Sequence, residues 1–263
     1  MQGFYVEVEN GNSFFIGPSS TMERTENPAE FHRQVQKMFS DIAPRYDLLN
    51  RLLSCGQDRY WRKRAVNRLS PQSGELFLDI ATGTADVALE IAQKFPQDEV
   101  QVVGMDFSDK MLELARQKIV ALDKTSSVQL KSGSAENLPF EDNSFDGITT
   151  AFGVRNFSDV NRSLLEMHRV LKPGGRSVIL EFALPRNTVL HSLYRVYFEW
   201  LLPRIGRLIS KHPSAYTYLP KSVATFPIRE AFSGLMQEAG FMNVTYKELT
   251  FGIVILYTGT KQI

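Results

Sequence analysis

Residues 75–86, ELFLDIATGTAD, limit the folds open to this chain more than any other stretch. A short apolar run stops at a string of small residues, and helical spacing starts directly after it, over 86–94. An apolar run of that length suits a strand covered on both faces. Small residues let the backbone approach a ligand closely, and a helix N-terminus offers unpaired N–H groups. About 20 residues further on, a second strand, QVVGMD (101–106), ends in Asp106, where a carboxylate can take the two hydroxyls of a ribose. Strand, tight loop, helix and strand make a βαβ unit, and ligands of open α/β sheets sit at the carboxyl ends of such strands.

The alternation continues. Ser108 caps a helix beginning at Asp109, followed by strands at 128–133 and 145–152. Ser158 opens a helix running to Leu171, stopped by Pro173-Gly174-Gly175, and a fifth strand covers 176–183. Upstream, residues 27–69 show helical spacing with a break at Pro44, ended by Pro71 and Gly74. Downstream, 187–208 is an aromatic-rich helical stretch, and Pro213, Tyr216, Tyr218 and Pro220 mark a loop. A helix over 228–241 stops at Gly240, and 242–249 with 252–261 form a terminal strand pair that includes an antiparallel strand. The predicted fold class is α/β: a mostly parallel sheet with helices on both faces and an N-terminal helical cap. Residues 1–26 read as a tail or linker and 27–263 as a single domain; Gly17-Pro18-Ser19-Ser20 precedes Met22, which is expected to be the native start.

Composition narrows the function. The 30 Lys+Arg balance 29 Asp+Glu to a net charge of +1, which gives no general attraction to a phosphate backbone, so no nucleic-acid partner is expected. The single cysteine, Cys55, excludes an internal disulfide and a Cys-built metal site, and reads as a buried apolar filler. His32, His168, His191 and His212 lack metal spacing, so no metal is expected. No apolar run reaches the ~20 residues of a membrane span. The first residues lack the basic start of a signal peptide, so a cytoplasmic protein, or one at the membrane periphery, is expected.

The loop itself selects among nucleotides. No Lys-Ser/Thr follows the glycine, as a P-loop needs, and Gly83 is its only glycine, which is poor for a pyrophosphate. Adenosine without phosphates fits better. Ser134 and Ala135, after the third strand, reach the same sheet edge and can flank an adenine. An ordinary βα turn with no ligand stays open on these residues alone.

Four segments, LDIATGTAD, VVGMDFS, GSAENLPFEDNSFD and LLEMHRVLKPGG, together resemble the successive motifs of class I S-adenosylmethionine-dependent methyltransferases. Residues 39–63, 152–182 and 218–227 further resemble the C-methyltransferases acting late in menaquinone and ubiquinone biosynthesis. The resemblance covers about 31–263 and implies a seven-stranded sheet, S-adenosylmethionine as cofactor, a prenylated quinol as substrate and no metal. It implies a cofactor-binding core over 75–183, substrate-side helices and the strand pair over 184–263, and a helical cap over 27–70. Cofactor contacts are expected at Asp79, Gly83, Thr84, Asp106, Ser134 and Ala135. The family loop reads G-T-G-D where this chain has Ala85, and that extra methyl is expected to require φ below zero.

The chemistry to expect is displacement at carbon, with an acceptor ring carbon held about 3 Å from the methyl. A quinol carbon is a weak nucleophile, so a group that stabilises charge on the ring oxygen is needed. The resemblance puts Arg155 and Asn156 in the substrate site, with Tyr46 and Asp47 completing a lid. Arg155 stays protonated and reads as a stabiliser of quinolate rather than a base. A helix-capping role, or a bridge to Asp159, is the alternative. Demethylmenaquinol is the expected acceptor; the benzoquinol precursor of ubiquinone, or both, remains the alternative. A nicotinamide oxidoreductase and a silent scaffold in quinone synthesis are the other classes. Residues 188–209 mix aromatic and basic side chains, as an interfacial helix, a prenyl tunnel wall or a homodimer contact would.

Overall fold

The structure is a computed structural model and describes residues 4–8, 12–16, 28–96, 99–196 and 214–263. Two short strands, β1 (Phe4–Val8) and β2 (Asn12–Ile16), form an antiparallel ribbon within the stretch expected to be a tail. Met22 lies outside the described residues. Helices α1 (Pro28–Ile42), α2 (Tyr46–Leu53) and α3 (Gln57–Leu69) form the expected cap region. A 3₁₀ turn, Ala43–Arg45, bridges α1 and α2 around Pro44. The proline fits there because the first turn of a helix needs no N–H from it.

The core alternates β3 (Leu76–Ile80), α4 (Asp86–Ala92), β4 (Gln101–Asp106), α5 (Asp109–Ala121), β5 (Val128–Ser132), β6 (Phe145–Ala151), α6 (Val160–Val170) and β7 (Leu171–Phe182). After α7 (Thr188–Val196) come α8 (Ser214–Thr225), α9 (Glu230–Glu238), β8 (Met242–Leu249) and β9 (Val254–Thr260). The seven-stranded sheet runs β5-β4-β3-β6-β7-β9-β8. Strands β3 to β7 are parallel, and β9 lies antiparallel between β7 and β8. Strand order therefore reverses between β3 and β6, which opens a crevice at their carboxyl ends.

Side-chain alternation builds two apolar layers. Leu78, Ile80, Ile179 and Ile255 pack with α6 and α9 on one face. Phe77, Val178, Leu180 and Val254 pack with α3, α4 and α5 on the other. Period two puts Asp79 on the same face as Phe77, beneath α4. A third, smaller cluster joins Phe31, Val35 and Met38 of α1 to Tyr218 of α8.

Local expectations needed four corrections. Ser108 does cap α5, but α6 is capped by Asp159, whose carboxylate accepts from the Arg162 amide at 2.9 Å; Ser158 bonds Glu136 instead. Pro173-Gly174-Gly175 sits inside β7 as an irregularity in its pairing with β6, so the helix ends earlier, at Val170. The stretch read as a loop is α8, which runs through Pro220. Burial of Tyr218, Val223 and Phe226 outweighs the ~3 kcal/mol that an interior proline costs. Cys55 is exposed rather than buried, in a left-handed turn between α2 and α3.

Candidate active site

Loops after β3, β4, β5 and β6 converge at the crevice with the cap above them. Two cavities of about 340 and 400 Å³ meet there, sharing Ala81, Asp106, Phe107, Asn156 and Phe157 in their walls. The first is completed by Ile80, Met105, Ser134 and Ala135 from the sheet edge and by His32 and Val35 from α1. The second is completed by Gly83, Met111, Ala151, Phe152 and Gly153 from the core and by Phe39 and Tyr46 from the cap.

Asp106 is the charged group common to both. It is buried, and its two carboxylate oxygens accept from the Gly83 and Ser108 amides, each at 2.9 Å. Burial pushes its pKa up to about 6 against the pull of those amides. The Phe107 amide pulls on the same carboxylate, and the acceptor sites of its two oxygens still outnumber these amides. Asp79 is buried too and pushed up to about 7 by burial, with the Thr82 hydroxyl donating to it at 2.6 Å. It lines neither cavity and instead fixes the loop from below. Thr84 also stays outside the cavities: its hydroxyl donates to Asp47 at 2.7 Å and accepts from Lys118 at 2.8 Å.

The loop is wound through left-handed backbone at alternate residues, with φ of 53° at Ala81, 57° at Gly83 and 66° at Ala85. The expectation that Ala85 needs a negative φ is wrong. A non-glycine residue there costs about 1–2 kcal/mol, and such strain gathers at functional sites. Phe152, after β6, is left-handed as well at 61°. Close approach is enforced at Gly153, where a Cβ would stand 2.7 Å from that of Ala81 and 2.8 Å from Thr150 Oγ1.

Of the residues expected at the acceptor, the structure brings Tyr46 and Asn156 to the cavity but not Arg155. Tyr46 is half-buried and faces Gly83; burial raises its hydroxyl pKa despite a hydrogen bond with Asn50, so it is a donor at neutral pH. The Arg155 guanidinium is buried against Glu181, with Nη1 donating to Oε1 at 2.7 Å and stacking 5.3 Å over the Phe182 ring. Neither Asp159 nor a helix cap holds it. Asn156 donates from Nδ2 to the Phe152 carbonyl at 3.2 Å and accepts at Oδ1 from the Tyr218 hydroxyl at 3.0 Å.

Sequence reasoning expected Tyr46 in the walls but missed the share of α1. His32 packs its ring 4.9 Å from that of Phe107, Gln36 donates to the Phe107 carbonyl, and the hydroxyls of Ser40 and Ser108 meet at 3.1 Å. It also missed an ionic chain through Asp58, Arg62, Asp86, Lys118 and Asp47 that ties α2 and α3 to α4 and α5. Lone polar residues on separate helices carry no sequence signal of such partners.

The cavities accept an adenosine-bearing cofactor on their own chemistry. A buried carboxylate stands at the shared wall, apolar side chains and Ala135 line one side, and a glycine leaves the loop backbone open on the other. Among the described residues no group of three His, Cys, Asp or Glu side chains could hold a metal ion.

The comparisons with known proteins agree in kind. The model of the ubiE/COQ5 methyltransferase family matches residues 27–261. The chain is 50% identical over 228 residues to the ubiquinone/menaquinone biosynthesis C-methyltransferase UbiE of Geotalea daltonii, covering 87% of this chain and 96% of that one. It is 49% identical to the demethylmenaquinone methyltransferase of Deinococcus radiodurans, with 87% and 92% covered. Among solved structures it resembles the [4+2]-cyclase SpnF, at a TM-score of 0.66 and 16% identity over 88% of this chain and 96% of that one. An S-adenosylmethionine-dependent methyltransferase of Thermotoga maritima follows at 0.60 and 23%, with 87% and 100% covered. At these identities the solved structures speak for the fold alone.

Proposed function

The chain belongs to the ubiE/COQ5 methyltransferase family, and from that premise we propose that it C-methylates demethylmenaquinol to menaquinol with S-adenosylmethionine. The menaquinone step is the one that both names among its relatives share. The observation that carries the reading is Asp106, a buried carboxylate on the wall common to both cavities. Its oxygens accept the ribose hydroxyls, while Ser134 and Ala135 flank the adenine. When bound, S-adenosylmethionine would supply an electrophilic methyl on a sulfonium, the carbon–sulfur bond breaking as the carbon–carbon bond forms and leaving the thioether.

The chain's part in that step is orientation and charge. The quinol lies in the cavity lined by Tyr46, Gly83, Phe152 and Asn156. The Tyr46 hydroxyl donates to the ring oxygen and stabilises the quinolate whose electrons feed the ring carbon, and Asn156 holds the same edge of the ring. The ring carbon then loses its proton to water and aromaticity returns. Arg155 acts behind this wall, through its hydrogen bond to the Phe152 carbonyl.

No described helix is long and apolar enough to cross a membrane. A prenylated acceptor is instead met at a lipid surface, so peripheral contact belongs to the same proposal. The outward face of α3 supports it: Arg59, Tyr60, Lys63, Arg64 and Arg68 are all exposed, as are Leu48 and Leu52 of α2. Of the aromatic stretch expected to serve there, 197–209 lies outside the described residues.

The test is incubation of the purified chain with methyl-labelled cofactor and either demethylmenaquinol or the methoxy-polyprenyl-benzoquinol, products being read by mass spectrometry. Label in menaquinol is expected. Label only in the benzoquinol product would reverse the choice of substrate, and label in neither would end the proposal.

A further inference from the structure

We infer that Tyr218 is a positioning residue for methyl transfer, acting by fixing the side-chain amide of Asn156; this rests on the methyltransferase reading above. Asn156 stands in the walls of both cavities, so its amide is shared between the cofactor side and the acceptor side. Which way that amide points is settled by its neighbours. The Phe152 carbonyl can only accept, so the group 3.2 Å from it is the NH₂ end, Nδ2. Oδ1 therefore turns to the Tyr218 hydroxyl at 3.0 Å, and that hydroxyl is the donor.

Both anchors are themselves held. The Phe152 carbonyl belongs to a left-handed residue and also receives Arg155 Nη1, whose guanidinium is paired with the fully buried Glu181. The Tyr218 ring is 7% exposed and packs against Phe31, Val35 and Met38 of α1. Asn156 is thus clamped between the sheet, through Glu181, Arg155 and Phe152, and the helices above, through Tyr218. One N–H of Nδ2 and one lone pair of Oδ1 are left for the cavity. An amide held in this way presents a defined donor and acceptor to a quinol oxygen. One free to turn presents either, and the acceptor carbon drifts from its line with the methyl, where small misplacements are costly.

The experiment compares Tyr218→Phe, Asn156→Ala and the double variant with the wild type. Each is read for melting temperature, cofactor affinity by calorimetry, and kcat and KM for demethylmenaquinol; the side-chain amide NMR signal of Asn156 is compared between the wild type and Tyr218→Phe. Losing one neutral hydrogen bond predicts a kcat about 3- to 10-fold lower in Tyr218→Phe, with cofactor affinity unchanged. The Asn156 amide signal should shift and exchange faster. The double variant should be no slower than Asn156→Ala alone, because the inferred effect of the hydroxyl on turnover runs through that amide. Wild-type kcat in Tyr218→Phe, an unmoved amide signal, or losses that simply multiply in the double variant would each overturn the inference. A wild type that methylates no quinol would instead sink the reading on which it rests.

Discussion

At the scale of single residues, Asp106 and Ala85 give the sharpest expectations. Hydrogen bonds to a charged group are worth about 1.5–3 kcal/mol, so Asp106→Ala should weaken the cofactor roughly 10-fold or more in calorimetry. Burial holds this carboxyl up at about 6, so it is half protonated near that pH and a weaker acceptor below it. Cofactor affinity should therefore rise with pH through about 6 and level off, and Asp106→Asn should flatten this component. Stability has the opposite sign. Asp106 and Asp79 bind protons more tightly folded than unfolded, so their contribution falls as pH climbs from about 4 through 6 and 7. Ala85 offers a paired test. Ala85→Gly removes a buried methyl worth ~0.8 kcal/mol but also relieves left-handed strain, and should leave stability within ~1 kcal/mol. Ala88→Gly, the same truncation in the regular turn of α4, should cost about 2 kcal/mol in denaturant melts. Asp106 was legible from its place at a strand end, and so was the loop's smallness. The sign of φ at Ala85 was not, since Ala seldom takes a conformation that glycine takes freely.

Between elements, the buried pair of Arg155 with Glu181 joins the turn after β6 to β7. Removing one partner leaves an uncompensated buried charge, so Arg155→Ala should lose about 3–5 kcal/mol of stability along with turnover. The double change Arg155→Met with Glu181→Leu should recover most of the stability and little of the activity. Retained stability in the single variant would place the guanidinium elsewhere. Lys118 makes a second joint, meeting Asp47 of α2, Asp86 of α4 and the Thr84 hydroxyl. Lys118→Met should speed amide exchange in residues 43–53 about 10-fold while β3 to β7 stay protected. Equal protection throughout would show that packing alone holds the cap. Strand–helix alternation was plain in the sequence because buried parallel strands are short apolar runs. Glu181 as the partner of Arg155 was not, for it lies on another strand and only the β6–β7 pairing brings the two together. The α8 helix hid behind its prolines and tyrosines, since what keeps it helical is burial against α1.

For the whole molecule, the exposed basic face of α3 together with the proposed prenylated acceptor predicts salt-sensitive adhesion. Cosedimentation with anionic vesicles should fall several-fold between low and physiological salt, and a charge-neutral triple change at Arg59, Lys63 and Arg64 should abolish it. Binding that ignores both salt and lipid charge would remove the surface from the proposal. The cap's part in the cavity walls has a further consequence in time. Because α1 and α2 supply one side of both cavities, a cap that must stand away from the sheet before the proposed cofactor can pass would gate its entry and exit. Measured affinity is then the intrinsic affinity scaled by the fraction of time the cap is shut. Variants that loosen the cap and variants that spoil Asp106 can show the same dissociation constant. Their clocks differ: a loosened cap admits the ligand at least as quickly as before and releases it sooner, whereas a lost carboxylate leaves the rate of arrival untouched.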